Sequence, residues 1–338
     1  MAAELVLGIE SSCDETAAAI VRGGREILSS IVHSQAPEHA LFGGVVPEIA
    51  GRSHLRHVIG VVDEALAAAE LALDDVDAIA VTARPGLIGS LLVGLSAAKA
   101  LAYARGLPLV CVDHIQAHAY AATMERDVAP PCVALVVSGG HTALYRMDSF
   151  TKLERLASTR DDAAGEAFDK VAQMLGLGYP GGPAISKIAV EGDARAVAFP
   201  RYRAKDGSID FSFSGLKTAV LYHLRGQDAL AATPPPEAIE DRADVAASFQ
   251  EAVVDVLVRQ TLQVADAEGL DTVLVTGGVA CNPRLRERMT AAAAERGKQA
   301  VFPSPAYCSD NAAMIAGLGT QLLRAGELAT LHADASAR

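Results

Sequence analysis

Apolar and polar positions along the chain spell out one pattern twice. Short apolar runs at 4–10, 16–21 and 25–32 read as strands, and Gly23-Gly24 makes the hairpin turn between the second and third. From Pro47 to about 70, Ile49, Val58, Val61, Val62, Ala65 and Leu66 recur on one helical face, and Pro47 suits a first turn. A strand at 76–82, a helix at 90–105 and a strand at 107–112 follow, and His114 opens the next helix. The order then repeats. Strands are expected at 132–137, 142–147 and 153–158, and helices at 164–175 and 240–268. A strand at 272–276, a helix at 283–296, a strand at 300–302 and a helix at 311–325 complete it. The main departure is an insertion at about 176–236, rich in Gly, Pro and charge, in which Pro234-Pro235-Pro236 reads as a loop.

Three strands followed by alternating helices and strands, written twice, predict a duplicated α/β fold with two lobes. The boundaries expected are 1–128 for the first lobe and 129–310 for the second, with 311–338 as a C-terminal helix and tail. Ligands of such folds lie at the carboxyl ends of the strands, so the cleft between the lobes is the expected site.

Composition narrows the class. The chain has 338 residues, 51% of them hydrophobic, which supports a large core and two domains. No apolar run approaches the ~18 residues of a membrane span. The start Met1-Ala2-Ala3-Glu4 lacks the basic region of a signal peptide, so a cytoplasmic location is expected. Cys13, Cys111, Cys132, Cys281 and Cys308 are odd in number and form no Cys-x-x-Cys pair, which points away from a disulfide framework or a zinc ribbon. A net charge of −12 argues against autonomous, tight binding of nucleic acid but leaves room for local basic patches. Arg201-Tyr202-Arg203-Ala204-Lys205 and Arg284-Leu285-Arg286-Glu287-Arg288 are candidates, and solvated loop and helix faces explain each singly.

Candidate chemistry centres on Asp113-His114-Ile115-Gln116-Ala117-His118. Residues four apart share a helical face, so both imidazoles can serve one transition metal. The spacing matches half of a zinc-peptidase motif, but Ile115 stands where that chemistry needs a Glu. Asp310, in Cys308-Ser309-Asp310-Asn311, either caps the last helix or supplies a third ligand. A His-His-Asp set with open positions would suit iron or zinc.

Three Gly- or Ser-rich turns follow strands, where backbone N–H groups can cradle phosphate. They lie at 8–16, at Ser138-Gly139-Gly140-His141-Thr142 and at 276–283. The first two hold matching places in the two halves and could grip a polyphosphate between them. Asn282 either caps a helix or contacts a purine or ribose. Glu10, Asp14 and Glu15 flank the first turn, and Asp169 lies in a mostly apolar helix.

Taken in order, these runs resemble the TsaD family, the transferase subunits that make N6-threonylcarbamoyladenosine in tRNA. The resemblance rests on Gly8-Ile9-Glu10-Ser11-Ser12-Cys13-Asp14-Glu15-Thr16, His114-x-x-x-His118, Ser138-Gly139-Gly140-His141-Thr142 and Gly165-Glu166-Ala167-Phe168-Asp169-Lys170-Val171. It continues through Tyr179-Pro180-Gly181-Gly182-Pro183, Phe211-Ser212-Phe213-Ser214-Gly215-Leu216-Lys217-Thr218, Gly277-Gly278-Val279-Ala280-Cys281-Asn282 and Ser309-Asp310-Asn311, and so covers nearly the whole chain.

The resemblance implies an actin/Hsp70/sugar-kinase fold and one Fe2+ or Zn2+ ion on His114, His118 and Asp310. It implies that an ATP- or ADP-type nucleotide, or threonylcarbamoyl-AMP, contacts Val136, Val137, Ser138, Gly139, Gly140, Asp169, Gly182 and Asn282. The insertion, with 211–218, would be a substrate or partner surface. The implied reaction is acyl transfer to N6 of the adenine beside the anticodon. Glu10, Asp14 and Glu15 could take the amine proton, with Asp14 and Glu15 preferred. The implied partners are tRNA, a shorter TsaB-like homologue and a TsaE-like ATPase, for which the helix at 48–70 is a candidate interface. Four other functions fit less well, among them a catalytically dead scaffold paralogue, against which the retention of all three ligand candidates argues. A peptidase lacks its Glu, a sugar or acetate kinase has no use for the His pair, and an Hsp70-like binding protein needs a client domain for which no residues remain.

Overall fold

A computed structural model describes residues 3–226, 235 and 238–338 of the chain. Met1, Ala2, Pro234, Pro236 and part of the expected insertion lie outside the described residues. In chain order the elements begin with strands β1 (Leu5–Glu10), β2 (Glu15–Arg22) and β3 (Glu26–Ser34). Helices α1 (Ala36–Ala40) and α2 (Pro47–Ala68) follow, then β4 (Ala78–Arg84), α3 (Ile88–Arg105), β5 (Leu109–Asp113) and α4 (His114–Met124). The second series opens with β6 (Cys132–Val137), β7 (Thr142–Ser149), β8 (Lys152–Ser158) and α5 (Ala164–Met174). It continues with α6 (Gly181–Ala189), α7 (Ser214–Arg225), α8 (Arg242–Ala267), β9 (Thr272–Thr276), α9 (Pro283–Glu295), β10 (Gln299–Val301) and α10 (Ala312–Arg324).

Among the described residues two five-stranded sheets form, in the orders β3-β2-β1-β4-β5 and β8-β7-β6-β9-β10. The plans match strand for strand. In each, the first strand pairs antiparallel with the next strand in sequence and parallel with the fourth of its set. The carboxyl ends of β1, β4 and β5 therefore share one edge, as do those of β6, β9 and β10.

The first sheet is covered on both faces, and its strands alternate between two cores. Leu7, Ile9, Ala18 and Ile20 join Val58, Val62 and Leu95 of α2 and α3. Val6, Ala17, Ala19 and Val21 join Tyr120 of α4 and Ile315, Leu318 and Leu322 of α10. Continuous apolar runs are the signature of strands buried on both sides. Each large α10 side chain buried here contributes about 1.5–3 kcal/mol. Among the described residues no helix is long and apolar enough to cross a membrane.

The chain divides into two compact units. The first comprises Met1–Ala129, Ser149–Leu153 and Pro303–Arg338, and the second Pro130–Asp148 and Glu154–Phe302. This differs from the boundaries expected at 128/129 and 310/311. Residues 303–338 belong with the first unit, because α10 supplies one of the two helical layers on its sheet. The approach is close. A Cβ on Gly8 of β1 would lie 2.3 Å from the Ala312 carbonyl oxygen and 2.8 Å from the Ala316 nitrogen. The inserted region carries two helices, α6 and α7. Phe211 and Phe213 within it are fully buried and stack with centroids 6.3 Å apart. The Asp161 carboxylate accepts from the backbone N–H groups of Phe213 and Ser214 and from the Ser212 and Ser214 hydroxyls.

Gly8→Val tests the packing of α10 on β1. Overfilling a close-packed contact costs about 1–3 kcal/mol, so the urea midpoint should fall with an unchanged slope. A midpoint equal to that of the wild type would contradict the contact.

Candidate functional site

The candidate metal centre lies in the first unit, at the carboxyl edge of its sheet. β5 ends at Asp113, whose carboxylate caps α4 by accepting from the Ile115 N–H (3.0 Å) and the Gln116 N–H (3.1 Å). The cap fixes where α4 begins, so His114 stands in the first turn and His118 one turn on. Their rings meet edge to face with centroids 4.6 Å apart. The third member arrives from the far end of the chain. Asn311, not Asp310, caps α10, accepting from the Met314 N–H at 3.0 Å. Asp310 is thereby left to point an oxygen at the pair, 3.0 Å from His118 Nε2 and 3.5 Å from His114 Nε2.

Glu10 completes the arrangement from the end of β1. One oxygen lies 2.9 Å from His114 Nδ1 and accepts from the Thr82 hydroxyl at 2.6 Å, and the other accepts from the Ser12 N–H at 2.5 Å. Holding Nδ1 in this way aims Nε2 of His114 toward Asp310. From the sequence, Glu10 is expected only as a proton acceptor. Its orienting role had no signal in spacing, because Glu10, Thr82 and His114 meet only through the β1–β4–β5 order.

Burial alone would depress the His114 pKa, but the Asp310 and Glu10 carboxylates hold it up to about 9. Burial likewise raises Glu10, and the facing His114 charge more than reverses that, leaving it below the usual carboxylate range. Two imidazoles and a carboxylate offer ligand atoms within 4.8 Å of one another. With two buried imidazoles and a half-buried carboxylate, oriented and chemically mixed, this donor set fits a first-row transition metal and leaves coordination positions for a substrate.

Asp14 and Glu15 occupy the turn between β1 and β2 and the start of β2. Burial and the Asp310 and Asp14 carboxylates push Glu15 up to about 10, so it holds its proton at neutral pH. The Ser34 hydroxyl donates to it at 3.2 Å.

The remaining expected residues lie in the second unit, linked through α5 and α6. The Ser138-Gly139-Gly140 turn follows β6, and its Ser138 and Gly139 carbonyls accept from the Gly165 and Glu166 N–H groups (3.2 and 3.1 Å). Gly277, with φ +91°, brings the β9 turn so close that a Cβ would sit 2.4 Å from the Val137 carbonyl oxygen. Val136 and Val137 themselves are fully buried in the sheet. Asp169 of α5 accepts from the Gly181 N–H at 2.7 Å, beside Gly182, which has open space where a side chain would be. Asn282 caps α9 through its Oδ1 and donates from Nδ2 to Ser186 (3.0 Å) and Gln250 (2.8 Å).

Fold and site together define a duplicated α/β protein of the actin/Hsp70/sugar-kinase type, with a His-His-Asp donor set in its first unit. The family model for TsaD, tRNA N6-adenosine threonylcarbamoyltransferase, matches residues 26–317. The chain belongs to that family, a family of transferases. The enzyme of that name from Geobacter sulfurreducens is 57% identical over 331 residues, which are 98% of this chain and 95% of the relative. Two solved structures share the fold at low identity. Full-length HypF in its phosphate- and nucleotide-bound form superposes with a TM-score of 0.64 at 12% identity, covering 96% of this chain and 47% of HypF. Component A of (R)-2-hydroxyglutaryl-CoA dehydratase from Acidaminococcus fermentans gives 0.56 at 15% identity, covering 94% of this chain and 98% of that one.

Metal binding must displace the His114 proton, so affinity for a divalent cation should rise with pH up to about 9 and level off above it. Glu10→Gln removes a charge that holds the proton and should move this rise to lower pH. Calorimetric titration from about pH 6 to 10 reads both effects. A pH-independent affinity in the wild type would count against the assignment.

Proposed function

We propose that this chain transfers the threonylcarbamoyl group of threonylcarbamoyl-AMP to N6 of adenine 37 in tRNAs that read codons beginning with A. The observation that carries the reading is the grouping of His114, His118 and Asp310 in a chain whose close relatives bear the transferase name. One Fe2+ or Zn2+ ion held by the three would supply a Lewis acid and a template for the acyl group.

The adenine amine is a poor nucleophile because its lone pair is delocalised into the ring. The chain's part is therefore to hold it close to the carbamoyl carbon and to stabilise developing oxyanion charge. A C–N bond forms, the C–O bond to the phosphate breaks, and AMP leaves with the bonding pair. The amine proton goes to a carboxylate of the chain. Glu10 is occupied with His114, and Glu15 holds a proton of its own, so Asp14 is the acceptor in this scheme. The Ser138-Gly139-Gly140 turn would face the phosphate, and Asp169, Gly182 and the Asn282 region the rest of an ATP-, ADP- or AMP-type nucleotide.

The reading includes a cytoplasmic location and partners, a TsaB-like homologue and a TsaE-like ATPase. An apolar face supports a protein partner. α2 and α3 pack closely at Gly51, where a Cβ would lie 3.6 Å from the Gly89 carbonyl carbon, and leave Leu55, Ile59, Ile88 and Leu92 exposed, Leu55 by 71%.

His114→Ala should lower threonylcarbamoyladenosine in tRNA by more than about 100-fold, with the circular dichroism spectrum unchanged. Nucleoside analysis of tRNA from a depleted strain complemented with the variant reads the outcome. Normal levels would overturn the reading.

A further inference from the structure

The two basic segments at 201–205 and 284–288 converge on α8 in the second unit. This helix presents Glu251, Asp255 and Arg259 at four-residue spacing, hence on one face. Arg284 Nε lies 2.7 Å from Glu251, and Arg201 Nε lies 3.2 Å from Asp255. Arg288 reaches both carboxylates, at 2.9 Å in the case of Asp255. Two cavities of about 490 and 440 Å3 result, and they form one groove, because Arg201, Asp255 and Arg288 line both.

Seven arginines line this groove against two lining carboxylates, with Glu287 and Asp266 pairing Arg284 and Arg296 from outside the lining, in a chain whose net charge is −12. The carboxylates sit under the guanidinium forks of Arg201, Arg284 and Arg288 and fix their direction without balancing the charge of the whole. Arg195 and Arg203 are exposed and have no carboxylate partner among the described residues. Arg259 gives a guanidinium N–H to the Tyr202 carbonyl, and Arg203 lies close enough to add like-charge repulsion to its burial. Like charges crowded on an acidic protein are costly unless an anion shares them.

The form of the groove selects the anion. Arg284, Arg288 and Arg296 recur along α9 and its C-terminal cap, a rise of about 18 Å. An open row of planar, bidentate donors suits a chain of phosphates better than a single nucleotide, which binds in an enclosed, largely apolar pocket. We propose that this groove holds the phosphodiester backbone of the tRNA. The proposal rests on the tRNA-modifying reading and adds to it where on the second unit the RNA runs.

The test is the double variant Arg195→Ala/Arg203→Ala, with Arg203→Glu as a second variant. Both side chains are exposed and lie outside the ion-paired layer, so the fold stands. Binding of a tRNA transcript is measured against salt in the complete reaction mixture. The double variant should bind about tenfold more weakly, and its log–log salt slope should fall by about 2. Arg203→Glu should lose at least as much affinity as removal of one arginine implies. Wild-type affinity and slope in both variants would overturn the groove alone. A wild-type protein that retains no tRNA in that mixture would overturn the groove together with the reading on which it rests.

Discussion

Helix α10 rests on the backbone of β1 and β4, and the candidate metal centre exists only because it does. Gly8 leaves no room for even a methyl group under Ala312, and Gly319 would place a Cβ 2.4 Å from that of Ala80. Ile315, Leu318 and Leu322 then fill the core on that face. The helix that closes the first sheet is drawn from the last part of the chain, and its N-terminal lead-in carries Asp310 to two histidines that stand 192 and 196 residues earlier. The geometry of the candidate metal centre and folding stability are thus tied to one contact. A substitution that lifts α10 from β1 should loosen the donor set without touching a ligand.

Electrostatics sets the character of that centre. Four acidic groups, Glu10, Asp14, Glu15 and Asp310, gather around one edge of the sheet with His114 and His118 among them. Burial penalises the charges of Glu10, Glu15 and His114, and the balance is struck by pairing. Glu10 stays ionised against His114, while Glu15, beside the Asp310 and Asp14 carboxylates, keeps its proton. A divalent cation fits this surplus of carboxylate better than any side chain present. The second unit runs on different physics. There, close backbone approach sets Gly165 and Gly277 against the Ser138 turn and Val137, and side-chain hydrogen bonds hold Asp169 and Asn282.

Much of the fold was legible because the central strands β1, β2, β4, β6 and β9 are buried along almost their whole length and α2 and α5 keep a clear apolar side. β6 and β9 begin and end where their apolar runs do. The inserted region was not legible. α6 follows Gly181-Gly182-Pro183, and α7 is preceded by two buried phenylalanines rather than by a helical signal. The affiliation of 303–338 was hidden for a related reason, since a helix's apolar face does not say which sheet it will cover. At the site, the four-residue His spacing was readable, but whether Asp310 caps the last helix or reaches the His pair stayed open until the backbone gave the cap to Asn311. Asn282 proved the reverse case, a residue whose side chain caps a helix and is tied at its other end as well. The two basic segments were visible, yet nothing in their sequence says that α8 brings them together.

The account turns on a metal held by two imidazoles and one carboxylate. X-ray absorption on protein loaded with one equivalent of iron examines that shell directly. The account predicts scattering from two imidazoles, falling to one in His118→Ala. A spectrum without imidazole scattering, or one that His118→Ala leaves unchanged, would contradict it.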